Sequence, residues 1–387
     1  MRTSDTGARL IRAGLAWSVV LLALAEALRS YALSIAAGGE AYQTADWLIN
    51  YSGGFVRRGL FGSVYLALFP QGQLGLWGLF SLQVLFCVVP LAYALTWLHK
   101  SDYSWLGIAL VCGPAALTFT GWDPVAFARK ESLALTALTL LAIAAFPYRK
   151  SGTQRALTIG ALLIFAVGVF SWEANALFLP GIAFLIYLGF RGRASGREGW
   201  VYAIGAATIS GIGLVASMLF PGTMATAAAV CQAVRAKGLD SPALCDGSIR
   251  YLGWTGGQML RVIRDSFPLY WGYLAMVALG LLPIATSSWF RKYWRVVALC
   301  IVALAPLFLV SADYGRWTSI IVMELLICLM ATQPKPDGSV QWTPVAVLLY
   351  VTTWGIPHWI GPEDTDWPWR GAMHDVLKFL TPELRTW

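Results

Sequence analysis

Charge is scarce in this chain. Only 12% of its 387 residues are Asp, Glu, Lys or Arg, and histidine occurs three times. No long hydrophilic stretch, Ser- or Pro-rich linker or internal repeat sets off a second domain. The histidines and the six cysteines form no cluster with metal-ligand spacing. A Ser-His-Asp arrangement and a Gly-rich nucleotide loop are also missing, which argues against a cytoplasmic nucleotide-sugar enzyme. The net charge of +8 is spread over short loops, without a basic face interleaved with aromatics, so no nucleic acid is expected as a partner.

Hydrophobic residues make up 58% of the chain, and the mean hydropathy is +0.63. Long apolar runs recur from end to end. A helix needs roughly 20 such residues to cross the hydrocarbon of a bilayer. The fold class expected is therefore all-α: a polytopic helical membrane protein forming a single transmembrane domain over 1–387. The apolar runs place about eleven crossings at 13–36, 74–98, 105–121, 124–146, 156–172, 174–190, 199–220, 267–287, 296–312, 315–332 and 342–360. Arg2, Arg9 and Arg12 precede the first run, which continues to about Ala37, so it reads as a retained helix rather than a cleaved signal.

Counting helices from a cytoplasmic N-terminus puts Arg149-Lys150, Arg191-Gly-Arg193 and Arg291-Lys292 on one side, each directly after an apolar run. That side carries 14 basic and four acidic residues, a balance of +10, against −2 for everything else. The positive-inside tendency then gives a cytoplasmic N-terminus and an outer C-terminus in the cytoplasmic membrane. The outer side has loops 37–73 and 221–266 and the tail 361–387. Cys231 and Cys245 fall in the second loop, on the oxidising side, where a disulfide is expected. Cys87, Cys112, Cys300 and Cys328 lie in apolar runs and read as packing residues.

The first outer loop holds the stretch that departs furthest from its surroundings, Asp46-Trp-Leu-Ile-Asn-Tyr-Ser-Gly-Gly-Phe-Val-Arg-Arg-Gly-Leu-Phe-Gly62. Arg57 and Arg58 can grip phosphate through parallel N–H bonds. Asp46 can accept a proton from a hydroxyl, and Gly53-Gly54 lets the backbone bend around a ligand. A bland alternative stands beside this: an interfacial loop whose arginines hold lipid headgroups. The segment Gly59–Pro70 is too short to span and reads as an interfacial helix.

Other ionisable residues collect at outer helix ends. Asp123-Pro124 has the form of an N-cap with proline at the first helical position, opening a helix that carries Arg129, Lys130 and Glu131. Asp313-Tyr-Gly-Arg316 repeats the arrangement, with Asp313 able to cap and to pair with Arg316, and His358 ends the last run. Residues 156–190 must cross twice with about 35 positions, or roughly 26 Å per leg against a core of about 30 Å. The turn at Glu173 should therefore stop short of the surface. Its carboxylate either pairs with Arg129 or Lys130 or lines a watery cavity.

An outer cavity with several arginines and carboxylates suits an anionic lipid and a hydroxylic acceptor. The order of first helix, long outer loop with an acid, interfacial helix and many further helices resembles the GT-C-type integral membrane glycosyltransferases and bacterial envelope polysaccharide polymerases. The resemblance implies transfer of a sugar or glycan from a polyprenyl-(di)phosphate carrier to an acceptor glycan or lipid. In it Asp46 corresponds to the first-loop acid and is the candidate base, with Glu173 or Asp123 in reserve. Arg57, Arg58, Arg129 and Arg316 would hold the leaving phosphate, Lys130 and His358 would line the site, and Asp313 would orient Arg316. Many members pair adjacent acids in that loop, whereas Glu40 here lies six residues before Asp46. No cofactor is expected. A divalent ion bridging Asp46 to phosphate fits the chemistry, but no residue pattern calls for one. A transporter for lipid-linked saccharide or another anion, and a non-catalytic membrane scaffold, remain as alternatives; a transporter would place its ionisable groups nearer the bilayer midplane.

Overall fold

A computed structural model describes residues 2–146, 150–191, 196–266 and 270–358. The tail 361–387, Arg149 and Arg193 lie outside the described residues. The regular structure of the described residues is all helical, with one isolated bridge between Ser287 and Gly338 and no strand. Seven helices are long and apolar enough to cross a membrane: Thr6–Ala36, Gly72–Lys100, Ser151–Ser171, Glu173–Phe190, Gly196–Leu219, Ser288–Val310 and Tyr314–Thr332. The pair Gly256–Ser266 and Tyr270–Ala285 would make an eighth if it forms one span.

Three expected crossings are shorter helices here. The run at 105–121 ends its helix at Cys112, where Gly113-Pro114 breaks it. Over 124–146 the helix begins only at Glu131; Pro124–Ala126 is a single tight turn. The last run is helical over Pro344–Thr352 and then extends through Ile356-Pro357. Each run is apolar enough to cross, but proline or buried polar backbone interrupts it. Apolarity alone overstates helix length.

Contacts divide the chain into two compact units. The first takes the described parts of 1–28, 91–126 and 259–387. Its centre is the helix Tyr314–Thr332, buried from Tyr314 to Met330. Trp289 Nε1 donates to Thr332 Oγ1 at 2.7 Å and Trp97 Nε1 to the Gln333 carbonyl at 2.8 Å, anchoring its C-terminal end. The helix Ser288–Leu304 is kinked at Tyr293, whose φ/ψ is non-helical.

The second unit takes 29–90 and 127–258. The apolar helices Ser151–Ser171, Leu179–Phe190 and Gly196–Leu219 pack together with Glu131–Ala144. Gly213 sits so close to Val169 that a Cβ would meet Val169 Cγ1 at 2.1 Å, so only glycine lets those two helices approach. The short helix Leu60–Leu68 corresponds to the expected interfacial helix. It docks through the Phe61 N–H, which donates to Ser171 Oγ at 3.2 Å. Cys231 and Cys245 are joined by a disulfide, closing a loop of sequence separation 14. The remaining cysteines are free; Cys112, Cys300 and Cys328 are buried.

Candidate functional site

The site of the second unit is assembled around a short non-helical turn, Phe127-Ala-Arg-Lys130. Ala128 has φ 57°, a left-handed conformation that costs a β-carbon residue energy. Its surroundings hold it there. Gln43 Nε2 donates to the Phe127 carbonyl at 2.7 Å. Trp47 Nε1 and Gln83 Nε2 both donate to the Ala128 carbonyl, at 3.0 and 3.2 Å. Asn175 Nδ2 donates to the Lys130 carbonyl at 3.2 Å. Backbone without helical partners is tolerated at such depth only when side chains satisfy it in this way.

The turn delivers Lys130 into the interior with no exposed surface. Its ammonium donates to the Arg58 carbonyl at 3.2 Å and lies 3.7 Å from Asp46 Oδ1. Asp46 is itself only 2% exposed. Burial brings the Lys130 ammonium down to about 8, against the opposing pull of Asp46. Arg129 and Glu131 are buried on either side of it.

On the far side of Arg58 stands Glu173. The Arg58 guanidinium grips its carboxylate with both edges of the fork: Nη2 donates to Oε1 at 2.6 Å and Nε to Oε2 at 2.9 Å. Arg57 Nη1 adds a bond to Oε1 at 3.3 Å. The hydrogen-bonded partners of Glu173 are thus Arg57 and Arg58, where the sequence offered a pair with Arg129 or Lys130 as one of two alternatives. Arg58 adopts φ 71°, the second strained residue of the site. The Arg58 charge beside it, followed by burial, lowers the Arg57 guanidinium from its ordinary value.

A narrow crevice opens at this cluster, its volume about 10 Å³, roughly the room of one water. Arg57, Arg58 and Glu173 form its polar wall, while Val169, Phe170, Gly213 and Ala216 are among its small and apolar lining residues. Asp46, Lys130 and Arg129 are not among its lining residues; they stand behind it. The Arg57 N–H donates to the Phe220 carbonyl at 2.9 Å, tying the arginine pair to the segment that leads into the disulfide loop.

Asp123, Asp313, Arg316 and His358 belong to the first unit. Asp123 does not open a long helix; its Oδ2 accepts from the His358 backbone N–H and stands 2.5 Å from His358 Nδ1. Burial works to raise the Asp123 carboxyl, but the bonds and charge of His358 outweigh it and hold the group below its ordinary value. Asp313 makes no side-chain cap; Arg316 Nη1 donates to its Oδ2 at 3.2 Å, and that guanidinium lies 5.1 Å from the centre of the Trp317 ring. Gly315 permits the His358 segment to come close: a Cβ there would meet the Pro357 carbonyl oxygen at 2.0 Å.

Asp46, Arg57, Arg58, Arg129, Lys130 and Glu173 therefore come together in the second unit. Reading the sequence missed the amides Gln43, Gln83 and Asn175. For Gln83 a signal was present, since an amide inside an apolar run has to find a buried partner; Gln43 and Asn175 lie in a loop and a turn, where no such signal exists. No group of three or more His, Cys, Asp or Glu side chains suited to a metal occurs among the described residues. Comparison of the chain with protein-family models, with curated proteins and with solved structures finds no match.

Proposed function

We propose that the protein is a membrane glycosyltransferase, acting at the outer face of the cytoplasmic membrane on a sugar or glycan carried by a polyprenyl (di)phosphate. The observation that carries the reading is the paired Arg57–Arg58 fork, beside a carboxylate, in a crevice whose other lining is apolar apart from Ser217. Arginine forks bind phosphate oxygens in pairs and stabilise charge that grows on them. The apolar wall suits the hydrocarbon of a lipid carrier.

In this reading the carrier phosphate occupies the arginines and Glu173 acts as base. The acceptor hydroxyl gives its proton to the Glu173 carboxylate while its oxygen attacks the anomeric carbon. The bond from that carbon to the phosphate oxygen breaks, and its electron pair leaves with the phosphate. Asp46, expected as the base, takes a positioning role: with Lys130 it fixes the Arg58 backbone from behind. Among the described residues no group of three or more His, Cys, Asp or Glu side chains calls for a metal.

Two features support an outer-face site with the N-terminus inside. The arginine pair is tied to the segment before the Cys231–Cys245 disulfide, and disulfides form in oxidising compartments. Arg191 and Arg197 flank the opposite end of the adjoining helices, as the positive-inside tendency requires. Tyr270–Ala285 and the interrupted helices Trp105–Cys112, Glu131–Ala144 and Pro344–Thr352 would supply the crossings beyond the seven long ones.

One observation favours a transporter instead. Glu324 is wholly buried midway along Tyr314–Thr332, as a deep ionisable group in a transport path would be. Reconstitution with a lipid-linked saccharide and an acceptor separates the two. The transferase reading expects a glycosylated product with wild type and a drop of about 100-fold or more in Arg58→Ala. Movement of the intact lipid between leaflets, with no bond cleaved, would establish the transporter.

A further inference from the structure

The Arg57–Arg58 fork is already occupied. Glu173 takes the N–H groups that a phosphate would need, because a carboxylate offers a guanidinium the same pair of oxygens. The contact is not sealed: the side chains of Arg57 and Arg58 are 27% and 24% exposed and that of Glu173 is 18% exposed, at a crevice mouth. The left-handed backbone at Arg58 aims its fork at this opening, where an incoming anion can reach the same N–H groups that Glu173 now holds.

We propose that Glu173 is an internal stand-in for the phosphate of an amphipathic phosphate ester. The incoming phosphate displaces the carboxylate from the fork, and its apolar chain lies against Val169, Phe170 and Ala216. The freed carboxylate is then available to take a proton. The proposal rests on the transferase reading for the identity of the ligand, while the displacement follows from the geometry. Until the phosphate arrives, the base is held by two guanidiniums and cannot act, so binding and activation are one event.

A purely structural ion pair and a stand-in predict opposite effects of removing the carboxylate charge. The test is calorimetric binding to the full-length protein in detergent, with farnesyl phosphate, inorganic phosphate and phosphatidic acid as separate probes. Glu173→Gln should bind farnesyl phosphate about tenfold tighter than wild type, the size expected for removing one charge-assisted competitor. Glu173→Asp, with its shorter reach, should tighten binding less, and Arg58→Ala should abolish it. Ala216→Phe should weaken farnesyl phosphate and leave inorganic phosphate unaffected. Where Glu173→Gln is less stable, farnesyl phosphate should raise its melting temperature more than that of wild type.

Equal or weaker binding by Glu173→Gln, with no larger melting shift, overturns the proposal even if wild type transfers sugar. Inorganic phosphate binding as tightly as farnesyl phosphate overturns the apolar-chain part, and phosphatidic acid matching it would assign the site to lipid phosphates in general. Tighter binding by Glu173→Gln, together with a wild type that forms no product, would leave the stand-in intact and remove the transferase reading alone.

Discussion

The two charged clusters of this protein are built on different plans. In the second unit, side chains from three distant segments share partners: Arg57 and Arg58 both hold Glu173, and Lys130 bridges the Arg58 carbonyl and Asp46. In the first unit Asp123 pairs with His358 and Arg316 with Asp313 three residues away, and Asp102 is shared by Arg9 and Lys335 at the surface. The contacts of the first unit hold loops and helix ends in place. The second-unit cluster differs in lying part-exposed along a crevice, where a further ligand can reach it. The difference separates a site from a scaffold more clearly than the identity of the residues, which are the same few types in both.

That comparison can be broken first at Lys130. Lys130→Met leaves the nearly unexposed Asp46 without its ammonium, and losing one partner of a buried pair costs about 3–5 kcal/mol. The melting temperature in detergent should fall accordingly, and the double variant Asp46→Asn/Lys130→Met should recover most of the loss. Equal losses in the single and double variants would mean that no coupling exists. The same site gives a sign for pH. A lysine whose folded value is lowered to about 8 binds fewer protons folded than unfolded above that pH, so its contribution to stability should rise between about pH 8 and its ordinary 10.5.

Asp123 should give a smaller and opposite response. Its carboxyl is held below the ordinary 3.8, so the stability it contributes is complete above that value and is lost as the pH falls through the lowered one. Asp123→Asn should lose about 1–3 kcal/mol at neutral pH and flatten the acid limb of a melting-temperature profile. An unchanged acid limb would show that His358 is held by something else. Smallest of all, Asp313→Asn should cost under about 1 kcal/mol, since the pair is local and Asp313 is partly exposed. A loss as large as that of Lys130→Met would erase the distinction between the two clusters.

Much of this was legible in the residues, unevenly. The stretch from Asp46 to Gly62 stood out because two guanidiniums and a carboxylate are rare beside apolar runs, and three of its charges do line or support the crevice. The short double crossing over 156–190 pointed to Glu173 as a carboxylate in need of a partner or a watery cavity, and it lies paired and part-exposed at a crevice. What could not be read was its partner, because Arg58 and Glu173 are 115 residues apart and several cations were in equal standing. Asp123-Pro124 misled in another way. The local pattern is a good helix start, but the following residues are pulled out of helical geometry by Gln43, Trp47, Gln83 and Asn175.

Composition and the length of apolar runs determined that the chain is all-helical, with several helices fit for a bilayer, because a bilayer tolerates no unsatisfied backbone. They determined as well that its few charges must be paired or functional. Which charges meet was decided only by tertiary packing. Ion pairing depends on distances between side chains that the chain brings together after folding, and a one-dimensional order carries no such distances. The glycine at 213 and the amides around Ala128 close the second unit down to the spacing at which Arg58 and Glu173 touch.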